Sequence, residues 1–240
     1  MNAEMMFFKT HKRLAKTFVR TMLNYDLLIE APLPPGPKII VVNHPTTSDP
    51  FLLPLLFNDP VYILVTEVAF EVPVLGKLMT KAGHISVPRA RGTGGQVIQA
   101  AVDRLKAGHT VAVFPEGVIS PQIGQFSPPR SGAARIALQS GAPVIPVGIH
   151  LDPDGCVENT ITTDSYSGLA RWVRRGSYYL TVGKALEFNG NPEDHEYVRQ
   201  VSRRIMDAVE LQTHRSEIRM AATSIPWQSL FRRLFGQGIA

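Results

Sequence analysis

Hydrophobic positions along this chain follow two periods. Short runs rich in β-branched residues read as strands over 38–43, 61–66, 83–89, 110–114, 143–150 and 178–182, with a further one over 184–188. Between them, spacings near 3.6 predict helices over 50–57, 73–82, 96–107, 130–139 and 164–175, then a long one from 192 to about 222. Residues 151–163 read as irregular. This alternation predicts an α/β fold: a single domain with a mostly central β-sheet flanked by helices.

Both termini carry amphipathic segments. Over 4–28, Met5, Phe8, Lys12, Ala15, Val19, Met22 and Leu23 approximate one helical face, with Lys12 interrupting it. Lys9, Arg13, Lys16 and Arg20 lie near the opposite face. Over 226–235, Trp227, Leu230, Phe231, Leu234 and Phe235 face one way, with Arg232 and Arg233 aside. Such compositions suit a membrane interface; the plain alternative is a surface helix packed on the core. Four prolines within 31–37 make a stiff connector. The expected division is an N-terminal amphipathic helix over 1–30, a core over 31–190 and a C-terminal helical segment over 191–240.

Charge sharpens this picture. The net charge is +5 and the pI about 9.5, which favours anionic partners such as phosphate ligands or an anionic membrane surface. The arginines are not interleaved with an aromatic stacking platform, so no nucleic acid is expected. With Cys156 the single cysteine, no intrachain disulfide can form. No apolar run approaches the roughly 20 residues that span a bilayer, and Lys9, Lys12, Arg13 and Lys16 break any secretory pattern. The expectation is a protein that lies on a membrane without crossing it.

The candidate chemistry centres on Asn43-His44-Pro45-Thr46-Thr47-Ser48-Asp49-Pro50. His44 follows a strand, at the edge where open α/β sheets bind ligands. Asp49 reads as the N-cap of the next helix, with Pro50 at its first position. That turn can return the carboxylate to the imidazole, fix its tautomer and leave the other nitrogen free to accept a proton. A turn histidine beside a capping aspartate is the bland alternative. Arg89 and Arg91 precede the Gly-rich turn 92–95, and Arg130 lies at the start of another helix; guanidinium suits phosphate there. Phe114-Pro115-Glu116-Gly117 places a carboxylate in a loop whose backbone can approach a ligand closely. No second His or Cys sits at ligand spacing near His44 and Asp49, so no metal is expected.

Taken in order, His44-x4-Asp49, Gly83 through Arg89, Phe114-Pro115-Glu116-Gly117 and Val144-Ile145-Pro146-Val147 resemble the glycerolipid acyltransferase family, typified by 1-acylglycerol-3-phosphate acyltransferases. The resemblance covers roughly residues 38–190. It implies acyl transfer from a thioester, acyl-CoA or acyl carrier protein, to a lysophospholipid hydroxyl, with no cofactor. His44 would be the general base and Asp49 its orienting partner. Arg89, Glu116 and Gly117 would map onto the acceptor site. The protein would be peripheral, on the cytoplasmic face of the membrane. Backbone amides near His44 would receive the oxyanion, and Phe51, Leu52, Leu55 and Leu56 are candidates for an acyl slot. Two departures bear on the acceptor. Ile119 stands where the family often has an arginine, whose charge Arg91 or Arg130 could replace, and Ser86 stands where an aromatic is usual. The alternatives are acylation of a glycolipid sugar, thioester hydrolysis, or lipid binding without catalysis.

Overall fold

The computed structural model describes residues 3–90, 92–162 and 167–224. Its strands are β1 (Leu23–Ile29), β2 (Lys38–Val42), β3 (Val61–Thr66), β4 (Ile85–Val87), β5 (Thr110–Val113), β6 (Val144–Leu151), β7 (Cys156–Thr162), β8 (Ser167–Val173) and β9 (Gly176–Val182). Its helices are α1 (Ala3–Met22), α2 (Asp49–Leu52), α3 (Glu67–Glu71), α4 (Leu75–Lys81), α5 (Gly94–Lys106), α6 (Gly132–Ser140) and α7 (His195–Ser224).

Among the described residues, seven strands form the main sheet in the order β1-β9-β6-β2-β5-β3-β4. The five from β6 to β4 run parallel. β9 is antiparallel to β6, and β1 is parallel to β9. β2 is central, and Ile39, Ile40, Val41 and Val42 are fully buried, as expected for a parallel strand covered on both faces. Ile40 and Val42 pack on the face that holds Ala15, Val19, Leu52 and Leu53. Ile39 and Val41 pack on the opposite face against residues of α5, α6 and α7. Burying each such side chain stabilises the fold by about 1.5–3 kcal/mol.

β2 therefore leads into α2 on one face, while its neighbour β5 leads toward α6 on the other. Adjacent strands whose connections depart to opposite faces open a crevice at their carboxyl ends. α7 closes the second face through a close approach to β6. A Cβ at Gly148 would fall 1.9 Å from the Thr213 amide nitrogen, so only glycine fits. Ser216 Oγ donates to the Gly148 carbonyl at 3.0 Å. Arg215 pairs with Glu30 and Arg219 with Asp26, strapping α7 to the β1 edge.

Three expectations need correction. The helix predicted over 4–28 ends at Met22, and residues 23–29 form β1 of the main sheet. Phe8, Ala15 and Val19 of α1 are buried in the core, whereas Met22 of the same face is exposed. Lys12, which interrupts that face, donates to the Phe57 carbonyl and to Asn58 Oδ1. Residues 167–173, within the helix predicted over 164–175, form β8, which pairs antiparallel with β7 in the stretch predicted as irregular. Over 184–188 there is a single bridge, Val144 to Leu186, rather than a strand. The amphipathic segment 226–235 lies outside the described residues.

Candidate active site

The crevice is built from the β2 exit outward. Asn43 is buried and pairs with the Ile149 backbone on β6, donating to its carbonyl at 2.8 Å and accepting from its amide at 2.7 Å. This anchors the first residue after β2. His44 follows, with its ring stacked on Phe114 at a centroid distance of 4.1 Å. Its Nδ1 lies 3.0 Å from Asp49 Oδ2. The expected pairing is therefore present. Asp49 is fully buried, whereas the His44 side chain keeps 16% of its surface exposed.

Asp49 is not the helix cap. Ser48 holds that position, and Asp49 is the first helical residue with its carboxylate turned back. Oδ2 also accepts from the Thr46 amide at 2.8 Å. Oδ1 accepts from the Thr46 hydroxyl at 2.6 Å and from the Tyr178 hydroxyl at 2.9 Å. Such saturation fixes a buried carboxylate in one orientation. Burial, followed by the adjacent Asp49 charge, pushes the Tyr178 hydroxyl well above the usual phenol range, so it remains a donor.

Glu116 is also buried, at the end of β5. Its Oε1 accepts from the His44 amide at 3.1 Å and from Ser120 Oγ at 2.8 Å. Its Oε2 accepts from the Ser127 amide at 2.7 Å. Its carboxylate braces the loops rather than lying in the crevice with open acceptors. Ser120 returns a second bond, amide to His44 carbonyl, at 2.8 Å. Gly117 has φ +68°, and a Cβ there would fall 2.6 Å from Arg130 Nε. The Arg130 guanidinium thus lies across Gly117, on the exposed side of the turn.

Arg89 sits beyond β4, exposed, with its amide donating to Glu67 Oε1 at 2.8 Å. β4 is three strands from β2, roughly 14 Å at the usual spacing, so Arg89 joins the same edge without touching the His44 pair. Arg91 lies outside the described residues.

The backbone amides expected to meet an oxyanion near His44 are already engaged. Those of His44, Thr46, Thr47, Ser48 and Asp49 each donate to a protein acceptor. Among the acyl-slot candidates, Leu52 belongs to the core, while Leu55 lines a groove of about 350 Å³ with Lys16, Val19, Arg20, Tyr25 and Leu27. Tyr25 stacks on Tyr178 at 6.2 Å, which links the groove wall to Asp49. Among the described residues, no three His, Cys, Asp or Glu side chains converge as a metal site.

Sequence reasoning missed Arg171 of β8. It is 5% exposed, and its guanidinium donates to the carbonyls of Pro45 at 2.9 Å, Ser120 at 3.2 Å and Pro121 at 3.1 Å. It also missed Tyr178, which the sequence marks only as a strand residue.

Comparison with known proteins bears on this geometry. The model of a family described as "Acyltransferase" matches residues 28–150. A chloroplastic 1-acyl-sn-glycerol-3-phosphate acyltransferase of Brassica napus is 32% identical over 113 residues, 46% of this chain and 32% of that protein. A 1-acyl-sn-glycerol-3-phosphate acyltransferase of Borreliella burgdorferi is 25% identical over 56% of this chain and 53% of that one. A lyso-ornithine lipid O-acyltransferase of Pseudomonas aeruginosa is 27% identical over 70% of this chain and 66% of that one. The chain thus spans 32% to 66% of the length of these relatives. The crystal structure of a 1-acyl-sn-glycerophosphate acyltransferase from Thermotoga maritima shares the fold, with a TM-score of 0.54, 22% identity, and coverage of 83% of this chain and 78% of that one.

Proposed function

The chain belongs to the acyltransferase family, and on that premise we propose that it moves a fatty acyl group from acyl-CoA or acyl carrier protein to a lysophospholipid hydroxyl, such as that of 1-acylglycerol-3-phosphate, in phospholipid biosynthesis. The observation that carries this reading is the 3.0 Å contact between His44 Nδ1 and the fully buried Asp49. Asp49 holds the Nδ1 proton, so Nε2 carries the lone pair. Nε2 takes the proton of the acceptor hydroxyl as its oxygen attacks the thioester carbonyl. The imidazolium formed is balanced by Asp49. Collapse of the tetrahedral intermediate breaks the carbon–sulfur bond, and the departing thiolate recovers that proton.

The acyl group passes directly between substrates. Burial, chiefly, pushes the Cys156 thiol up to about 11, so it is no thiolate nucleophile at neutral pH. With the amides around His44 engaged, oxyanion donors fall to the turn after Glu116, where the Val118 and Ile119 amides make no hydrogen bond among the described residues. Arg130 and Arg89 hold the acceptor's phosphate on the open rim, and Gly117 lets Arg130 lie close. The acyl chain lies in the groove beside Leu55. Lys16, Arg20 and the exposed Leu14, Met22, Leu27, Leu28 and Ile29 support docking on an anionic leaflet at the cytoplasmic face. No described helix is long and apolar enough to cross a membrane.

A second acceptor is favoured by two observations. Ile119 replaces an arginine often found in the family, and a lyso-ornithine lipid acyltransferase matches over 70% of this chain. A lyso-ornithine lipid hydroxyl is therefore the alternative acceptor.

The test uses His44→Ala with acyl-CoA and acyl carrier protein donors, each offered both acceptors, with products identified by mass. We expect turnover to fall by about 10²–10⁴ with circular dichroism unchanged. Near-wild-type turnover in the variant sinks the mechanism. Fatty acid release at a comparable rate without acceptor would mark a thioester hydrolase instead.

A further inference from the structure

We propose that Arg171 is a positioning residue for His44, and that the β7–β8 hairpin locks the loop that carries the base. This deepens the acyl-transfer reading and rests on it. The hairpin lies beyond residues 28–150, the stretch that the family model matches. It reaches back over the crevice through several bonds from one short segment. The Arg171 amide donates to Thr47 Oγ1 at 3.1 Å, and the Arg171 carbonyl accepts from the Thr47 amide at 2.7 Å. The Val173 amide donates to Ser48 Oγ at 3.1 Å. The guanidinium bridges the Pro45 carbonyl on one loop to the Ser120 and Pro121 carbonyls on the other. Its Nε pairs with Glu158 Oε1 of β7 at 2.7 Å.

Glu116 ties the same two loops together, through the His44 amide and the Ser120 hydroxyl. Ser120 is the shared node. Its amide holds His44, its hydroxyl holds Glu116, and its carbonyl holds Arg171. The backbone around His44 is consequently fixed at the His44 amide, the His44 carbonyl, the Pro45 carbonyl and the Thr47 amide. The Arg171 side chain donates to loop carbonyls and to Glu158, so it acts through the loop. A buried cation among carbonyls needs a planar fork of donors, which arginine has and lysine lacks. Displacing a reactive group by about 1 Å costs on the order of 10²-fold in rate.

The test compares full-length wild type, Arg171→Lys and Glu158→Gln in steady-state assays, normalised to folded protein by circular dichroism. We expect Arg171→Lys to lower kcat about 10–100-fold with KM for both substrates within threefold. Glu158 is half-exposed, so Glu158→Gln keeps the fold and lowers kcat about 2–5-fold at unchanged KM. If Arg171→Lys does not fold, Glu158→Gln decides alone. Wild-type kcat in the folded variants overturns the proposal, as does a KM that rises in step with the loss. His44→Ala runs in parallel. An active His44→Ala defeats the acyl-transfer reading, whereas an inactive one beside an unimpaired Arg171→Lys defeats only this inference.

Discussion

Asp49 and Arg89 both belong to the carboxyl edge of the sheet, yet they are held in opposite ways. Asp49 is fully buried, with both oxygens engaged by His44, Thr46 and Tyr178. Arg89 is exposed, and its amide donates to Glu67. Arg130 shares that exposed character, lying across Gly117. Proton transfer demands a fixed geometry, and a saturated buried carboxylate supplies it. The proposed grip on a headgroup draws on charge and reach, which long exposed side chains supply at little cost in stability.

The widest separation between the two regions should come from Asp49→Asn. An amide there presents donors where Thr46 and Tyr178 already donate, and the imidazole loses its counter-charge. We expect kcat to fall about 10²–10⁴-fold. Breaking this saturated site should also destabilise the fold by about 3–5 kcal/mol, read by denaturant unfolding. Retained kcat would erase the contrast. The rim should answer differently. Arg130→Ala and Arg89→Ala should each raise KM for a phosphorylated acceptor about 5–20-fold, leave kcat within twofold, and shift stability by no more than about 0.5 kcal/mol. That KM should climb further with salt, because exposed charges are screened.

His84 sharpens the contrast from outside the site. Burial, then the nearby His11, lowers its pKa to about 4, and its Nδ1 accepts from the Ile63 amide. The unfolded chain binds a proton near pH 6.5 that the folded chain refuses until about pH 4. The contribution of His84 to stability is therefore complete above pH 6.5 and declines as pH falls toward 4, by up to about 3 kcal/mol. His84→Gln should flatten that decline in pH-dependent melts while leaving kcat at neutral pH unchanged. An unaltered slope would show that His84 does not drive it.

Much of this was legible because local chemistry and tertiary role coincide in the β2–α2 segment. A β-branched strand, a Pro-flanked turn and a returning carboxylate all follow from residues within one short stretch. Where partners are remote, the signal was weaker. Leu23–Ile29 continues the helical period of α1, yet its backbone pairs with β9, a choice made by distant residues. Leu169, Ala170 and Arg171 have good helix-forming chemistry, and they form a strand because β7 offers a ladder. Thr160-Ile161-Thr162 was the available clue, a β-branched run in the stretch read as irregular. Tyr178 could not be tied to Asp49 before the sheet order was known, since that order alone brings β9 toward the β2 side.

The pairing of Leu23 with Gly176 has a consequence for biosynthesis. A ribosome adding about 5–20 residues per second leaves the first strand waiting several seconds or longer for its neighbour. Throughout that interval Leu27, Leu28 and Ile29 emerge without the ladder that later orders them. The nascent chain thus offers a greasy, unpaired segment to chaperones or a nearby bilayer well before the crevice exists.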